Sequence, residues 1–193
     1  MEEEEKTILV PNKANFSLEK VKLTKTGGLD VHYSVNEKLG AEFYSNKYHI
    51  MSSKDVHPDL RKLFSKLNPI VARVFNMDSF VTEVIESAGF DATDMQKELA
   101  RDYAEACVDR ISVRGISISG TDENQGVTIA GVYETDELIK TSICTPKINY
   151  ATEVFGFESE LEDIVFDIED EVYQYLFEGK KAQLELFGDA VKQ

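Results

Sequence analysis

The chain has 193 residues, 42% of them apolar and 30% charged, and a formal net charge of −15, which suits one domain with its own core and is short for two. No apolar run approaches the roughly 20 residues of a membrane span, and the start MEEEEKTILV is acidic where a secretory signal is basic, so a cytoplasmic protein with no membrane contact is expected. Two cysteines far apart in sequence, Cys107 and Cys144, exclude disulfide frameworks and metal clusters and are expected as reduced thiols packed like small apolar side chains.

Charge is unevenly distributed. Residues 12–75 carry 11 basic and 6 acidic side chains, whereas residues 76–193 carry 9 basic and 26 acidic. A local excess of Lys and Arg is what contact with phosphates requires, so the first segment is where nucleic acid is sought.

In chain order, an acidic arm, residues 1–11, precedes a single α+β domain, residues 12–179, and a tail, residues 180–193. From Leu18 to Ile50, apolar and polar residues alternate, with Gly27-Gly28 and the segment NEKLG as turn signals, which predicts a three-stranded antiparallel meander. Val21, Leu23, Leu29, Val31, Tyr33 and Val35 share the buried face; Lys20, Lys22, Thr24, Asp30, His32 and Ser34 face outward.

Ser52, Ser53 or Asp55 is the expected cap of a helix that has Pro58 in its first turn and an apolar stripe from Leu60 to Phe75, bent or broken at Pro69. A less regular segment from Phe80 to Ala88 precedes a second helix, capped by Thr93 or Asp94, with Met95, Leu99, Tyr103 and Cys107 on one stripe. Residues 110–150 predict a second three-stranded antiparallel set with TDENQG as a hairpin loop, and Gly115, Gly120, Gly126 and Gly131 as marks of bulges or close packing. The last helix carries Leu161, Ile164, Val165, Ile168, Val172, Tyr175 and Leu176 on one stripe, a nearly unbroken acidic face opposite, and a stop at Gly179. The expected architecture is an antiparallel sheet, in two meanders, with helices packed on one face; two similar sets, each beside a helix, leave a duplicated layout open.

Motifs of known enzyme chemistry are scarce: there is no Gly-x-Ser-x-Gly elbow, no phosphate-binding glycine loop ending in Lys and Ser or Thr, and no His-Glu-x-x-His helix. A non-enzymatic protein without cofactor is expected. Adjacent strands would allow His32 and His49 to face each other, with Asp30 as the one nearby third ligand, but strand surfaces commonly carry histidines, and no metal is expected.

Lys20, Lys22, Lys25 and Lys47, with Tyr44 and Tyr48, form a candidate contact for single-stranded DNA or another partner, offering charge and stacking surfaces; lysines that protect exposed strands from aggregation are the competing explanation. The acidic helix face, with Glu162, Asp163, Glu169, Asp170 and Glu171, raises an alternative function. It would be a decoy that mimics the phosphate backbone and inhibits a host nuclease or defence protein; an acidic outer face for solubility is the plainer reading.

In the tail, Gln183-Leu184-Glu185-Leu186-Phe187 resembles the peptide by which bacterial replication and repair proteins attach to the DNA sliding clamp, the β subunit of the replicative polymerase. Gln183, Leu184, Leu186 and Phe187 match the pattern, and Glu185 stands where Ser or Asp is more usual. The resemblance implies that Leu186 and Phe187 anchor in an apolar groove, Leu184 makes a shallower contact and Gln183 fixes the register. The competing reading is that the last helix continues or folds back, with Leu184 and Phe187 closing the core. KLTKTGGLDVHYS and HPDLRKLF resemble segments of uncharacterised phage and prophage proteins encoded beside replication and recombination genes, which implies a phage early protein acting in the bacterial host cell. The reading as a whole is an accessory or adaptor protein that binds the clamp in DNA replication or recombination, with dimerisation or a second contact raising occupancy.

Overall fold

A computed structural model of the chain describes residues 10–39, 42–77, 94–135, 137–152 and 154–180. Among the described residues, seven strands run β1 (Phe16–Leu23), β2 (Leu29–Leu39), β3 (Glu42–Ser52), β4 (Ile111–Ser119), β5 (Gly126–Glu134), β6 (Lys140–Cys144) and β7 (Ile148–Asn149). The helices are α1 (Pro58–Lys66), α2 (Asn68–Val74), α3 (Asp94–Asp109) and α4 (Glu158–Tyr173). The fold is α+β.

The two meanders are not separate sheets. β1 and β4 pair antiparallel through Lys20 with Ser117, Val21 with Ile116 and Lys22 with Gly115, which joins both sets into one sheet of order β3-β2-β1-β4-β5-β6, with β7 added beside β5. The layout is duplicated in plan: three strands count outward from each central strand. Each central strand bulges, β1 at Glu19 and β4 at Arg114, and a bulge bends its strand and sharpens the local twist.

Alternation dictates the layers. Leu18, Val21, Leu29, Val31, Tyr33, Ile111, Val113, Ile116, Val127 and Ile129 turn inward and are buried with Leu60, Phe64, Leu67, Ile70, Leu161, Ile168 and Val172 from the helices. α1, α2 and α4 thus cover one face of the sheet.

Local signals hold with several corrections. The segment expected to turn at Asn36–Gly40 continues β2 through Leu39, since Asn36, Glu37 and Lys38 pair with Ser45, Tyr44 and Phe43. His57 is the N-cap of α1, its Nδ1 accepting from the Asp59 amide at 3.3 Å; Ser52 is still in β3, too early to cap. The chain breaks between α1 and α2 at Leu67, just before Asn68-Pro69. Tyr103 is exposed and Cys107 buried, so the stripe proposed for α3 does not all face the core; Phe80 to Ala88 lies outside the described residues. Cys144 is exposed, not packed as an apolar group, because it pairs with Ala130 on the uncovered face of an edge strand.

Candidate functional site

The uncovered face of the sheet is the surface on which side chains converge. Residues opposite one another in register share it: Lys47, His49 and Met51 on β3; Ser34, His32 and Asp30 on β2; Lys20 and Lys22 on β1; Gly115 and Ser117 on β4; Thr128 and Ala130 on β5; Cys144 on β6. Over β1, β4, β5 and β6 small side chains leave a shallow groove of about 740 Å³ edged by Lys20, Lys22, Lys25 and Arg114. Arg114 was not singled out from sequence; its place in a bulge, before a glycine, is legible only from the pairing of β4 with β5. Gly115 is required there, since a Cβ would lie 2.7 Å from the Val21 carbonyl oxygen of the neighbouring strand.

Lys20, Lys22, Lys25 and Lys47 lie on or beside this face, but Lys47 is spoken for by Glu19 at 2.7 Å. Tyr44 and Tyr48 do not join them. They stand one residue out of phase with Lys47 and so belong to the other face, where Tyr48 stacks on Tyr33 at 5.1 Å and the Tyr44 hydroxyl donates to Glu42. The expected pairing of lysines with tyrosine platforms is corrected: a strand cannot present neighbours an odd number of residues apart on one side.

The rings that do lie among the lysines are imidazoles. His32 and His49, opposite one another, stack at 4.1 Å between centroids and 9° between planes. Asp30 Oδ1 lies 2.7 Å from His49 Nε2 and 3.7 Å from His32 Nε2.

The acidic helix is less free than its sequence indicates. Glu162 and Asp163 are exposed, but Glu169 accepts the Leu18 amide at 2.8 Å, Asp170 pairs with Lys13, and Glu171 pairs with Lys180. Burial raises the Glu169 carboxyl above the usual range, with the Leu18 amide acting in the opposite direction. Lys180 also lies 3.4 Å from Asp59 on α1, and its hydrogen bond to Glu171 raises its ammonium pKa. Three of the five acids proposed as a decoy surface therefore serve the fold.

Beyond α4 the chain widens into one π-helical turn, Gln174–Glu178, and Gly179 then takes the left-handed conformation at φ 76°. Lys180 is the last described residue; the clamp-like residues Gln183, Leu184, Leu186 and Phe187 lie outside the described residues. No helix among those described is long and apolar enough to cross a membrane. Comparison with protein families, curated proteins and solved structures finds no match for this chain.

Proposed function

We propose that this chain is a non-enzymatic accessory protein, of phage type, that docks on the bacterial DNA sliding clamp through Gln183, Leu184, Leu186 and Phe187 and acts in replication or recombination in the bacterial cytoplasm. The observation that carries the reading is the pentapeptide itself, placed shortly after a helix that ends at a left-handed glycine. A helix that stops at Gly179 does not hand its register to Leu184 and Phe187, which favours a peptide separate from α4 over a continued helix. The ion pairs of Lys180 to Asp59 and Glu171 fasten the point from which the peptide departs. The basic groove is the surface available for a second contact with single-stranded DNA or a partner, and such a contact would raise clamp occupancy through effective concentration.

Calorimetric titration of the full chain against a bacterial clamp tests this. Saturable binding is expected, with loss in Leu186→Ala/Phe187→Ala and unchanged melting. Absence of binding, or binding indifferent to both substitutions, overturns it. The decoy alternative predicts instead sensitivity to neutralising the exposed acids Glu160, Glu162, Asp163 and Asp167; Glu169, Asp170 and Glu171 are unsuitable for that comparison because each is engaged within the fold and its replacement alters stability as well as charge.

A further inference from the structure

We propose that Asp30, His32 and His49 form a binding site for one divalent transition-metal ion of the zinc class, with its fourth coordination position open to solvent. Ligand atoms from two adjacent strands converge: one each from Asp30, His32 and His49 lie within 4.8 Å of one another. A tetrahedral ion with bonds of about 2.0–2.2 Å separates its ligand atoms by about 3.3–3.6 Å. The observed 2.7 and 3.7 Å separations from Asp30 Oδ1 bracket that span, and turning the imidazoles out of their parallel stack brings both in-plane lone pairs onto one ion.

The backbone holds the set in place. His32 and His49 are direct cross-strand partners, and Asp30 is two residues from His32 on the same side of β2, a spacing imposed by sheet geometry. The rings are parallel and close, with both Nε2 atoms turned to one carboxylate oxygen. Metal binding requires neutral imidazoles. The side chains are 38%, 49% and 24% exposed for His32, His49 and Asp30, which gives an ion a path from solvent.

Chemistry selects the ion. Calcium and magnesium need several oxygen ligands, and one carboxylate beside two imidazoles does not supply them; zinc and its neighbours bind this mixture. Lys22 is opposite Asp30 and Lys20 opposite His32 on β1, so positive charge flanks the three residues and favours an anionic fourth ligand. A second grouping, His57, Asp59 and Glu171, offers similar atoms but already has a cation: the Lys180 ammonium sits against both carboxylates, and His57 Nδ1 caps α1. It serves as an internal control.

The test is titration of the full chain with zinc chloride by calorimetry, and with cobalt chloride by visible absorption. One ion per chain is expected, with His32→Ala, His49→Ala and Asp30→Asn each weakening affinity by about tenfold or more. His57→Ala and Cys144→Ser should bind as the parent does. Melting in chelator checks each variant's fold. Should any variant unfold, imidazole NMR signals of the unaltered chain read the site directly: zinc must move those of His32 and His49 and leave those of His57. No saturable binding, or binding lost in His57→Ala or Cys144→Ser and kept in the other three, overturns the proposal.

Discussion

At the scale of single residues, two tyrosines near the acidic helix have opposite energetics. The Tyr175 hydroxyl donates to the Lys54 carbonyl, just after β3, at 2.6 Å and lies 2.7 Å from Ser52 Oγ, whose hydroxyl can donate to it in turn. The Tyr150 hydroxyl is buried with no partner among the described residues, and burial drives its pKa upward. Tyr175→Phe should therefore lower unfolding free energy by about 1–2 kcal/mol, and Tyr150→Phe should leave it unchanged or raise it by up to about 1 kcal/mol, both read by urea denaturation. Two glutamates of α4 are likewise opposed. Glu158 accepts the Phe155 and Val154 amides, each at 2.7 Å, and these bonds lower its pKa, the Phe155 amide most. Its contribution is present above the usual carboxyl value of 4.5 and is lost as pH falls through the lower folded value. Glu169 is raised, so the folded state holds that proton longer and loses stability as pH rises from 4.5 through the folded value. Melting temperatures from about pH 3 to about pH 8 should show Glu158→Gln removing part of the acid-side loss and Glu169→Gln removing part of the loss above it. The apolar stripe made Tyr175 legible as a core residue; the carbonyl it meets, 121 residues earlier in the chain, was not legible.

At the scale of elements, the hairpin between β1 and β2 shows how one turn organises its neighbours. Gly27, at φ 89°, accepts the Val56 amide and Arg61 Nη2 on its carbonyl, tying the turn to the start of α1. A Cβ on Gly28 would fall 1.9 Å from the Ser52 carbonyl oxygen, a backbone atom at the end of β3. Gly28→Ala should accordingly destabilise by about 2 kcal/mol or more, measured by chemical denaturation, because backbone must move to admit one methyl group. The Gly-Gly pair announced a turn; that β3 would press against it depends on a strand more than twenty residues away. Similarly, Asn68-Pro69 announced a helix break, and the structure shows its second use: Asn68 Oδ1 accepts the Val113 amide at 3.2 Å, beside the bulge of β4.

At the scale of the whole molecule, charge asymmetry along the sequence becomes asymmetry between faces. Lysines of the first meander lie on the open side of the sheet, while α4, on the covered side, displays Glu160, Glu162, Asp163 and Asp167 to solvent. Among the described residues, the buried cluster is assembled from strands and helices between Phe16 and Tyr175. A chain truncated after Lys180 should therefore melt within a few degrees of the full chain and bind no clamp, as calorimetry with both proteins would show. A large fall in melting temperature would mean that the tail helps close the core and would count against its availability to a partner.

Sequence periodicity alone determined the α+β class, the two meanders, a break just before Pro69 and the stop at Gly179, because alternation, proline and glycine act within a few residues of where they stand. Alternation within β3 already set Tyr44 and Tyr48 apart from Lys47; only tertiary structure decided that β1 meets β4 to make one sheet and that Glu169, Asp170 and Glu171 are held internally. Those outcomes depend on register and on partners distant in the chain, and a one-residue change of phase sends a side chain to the opposite face.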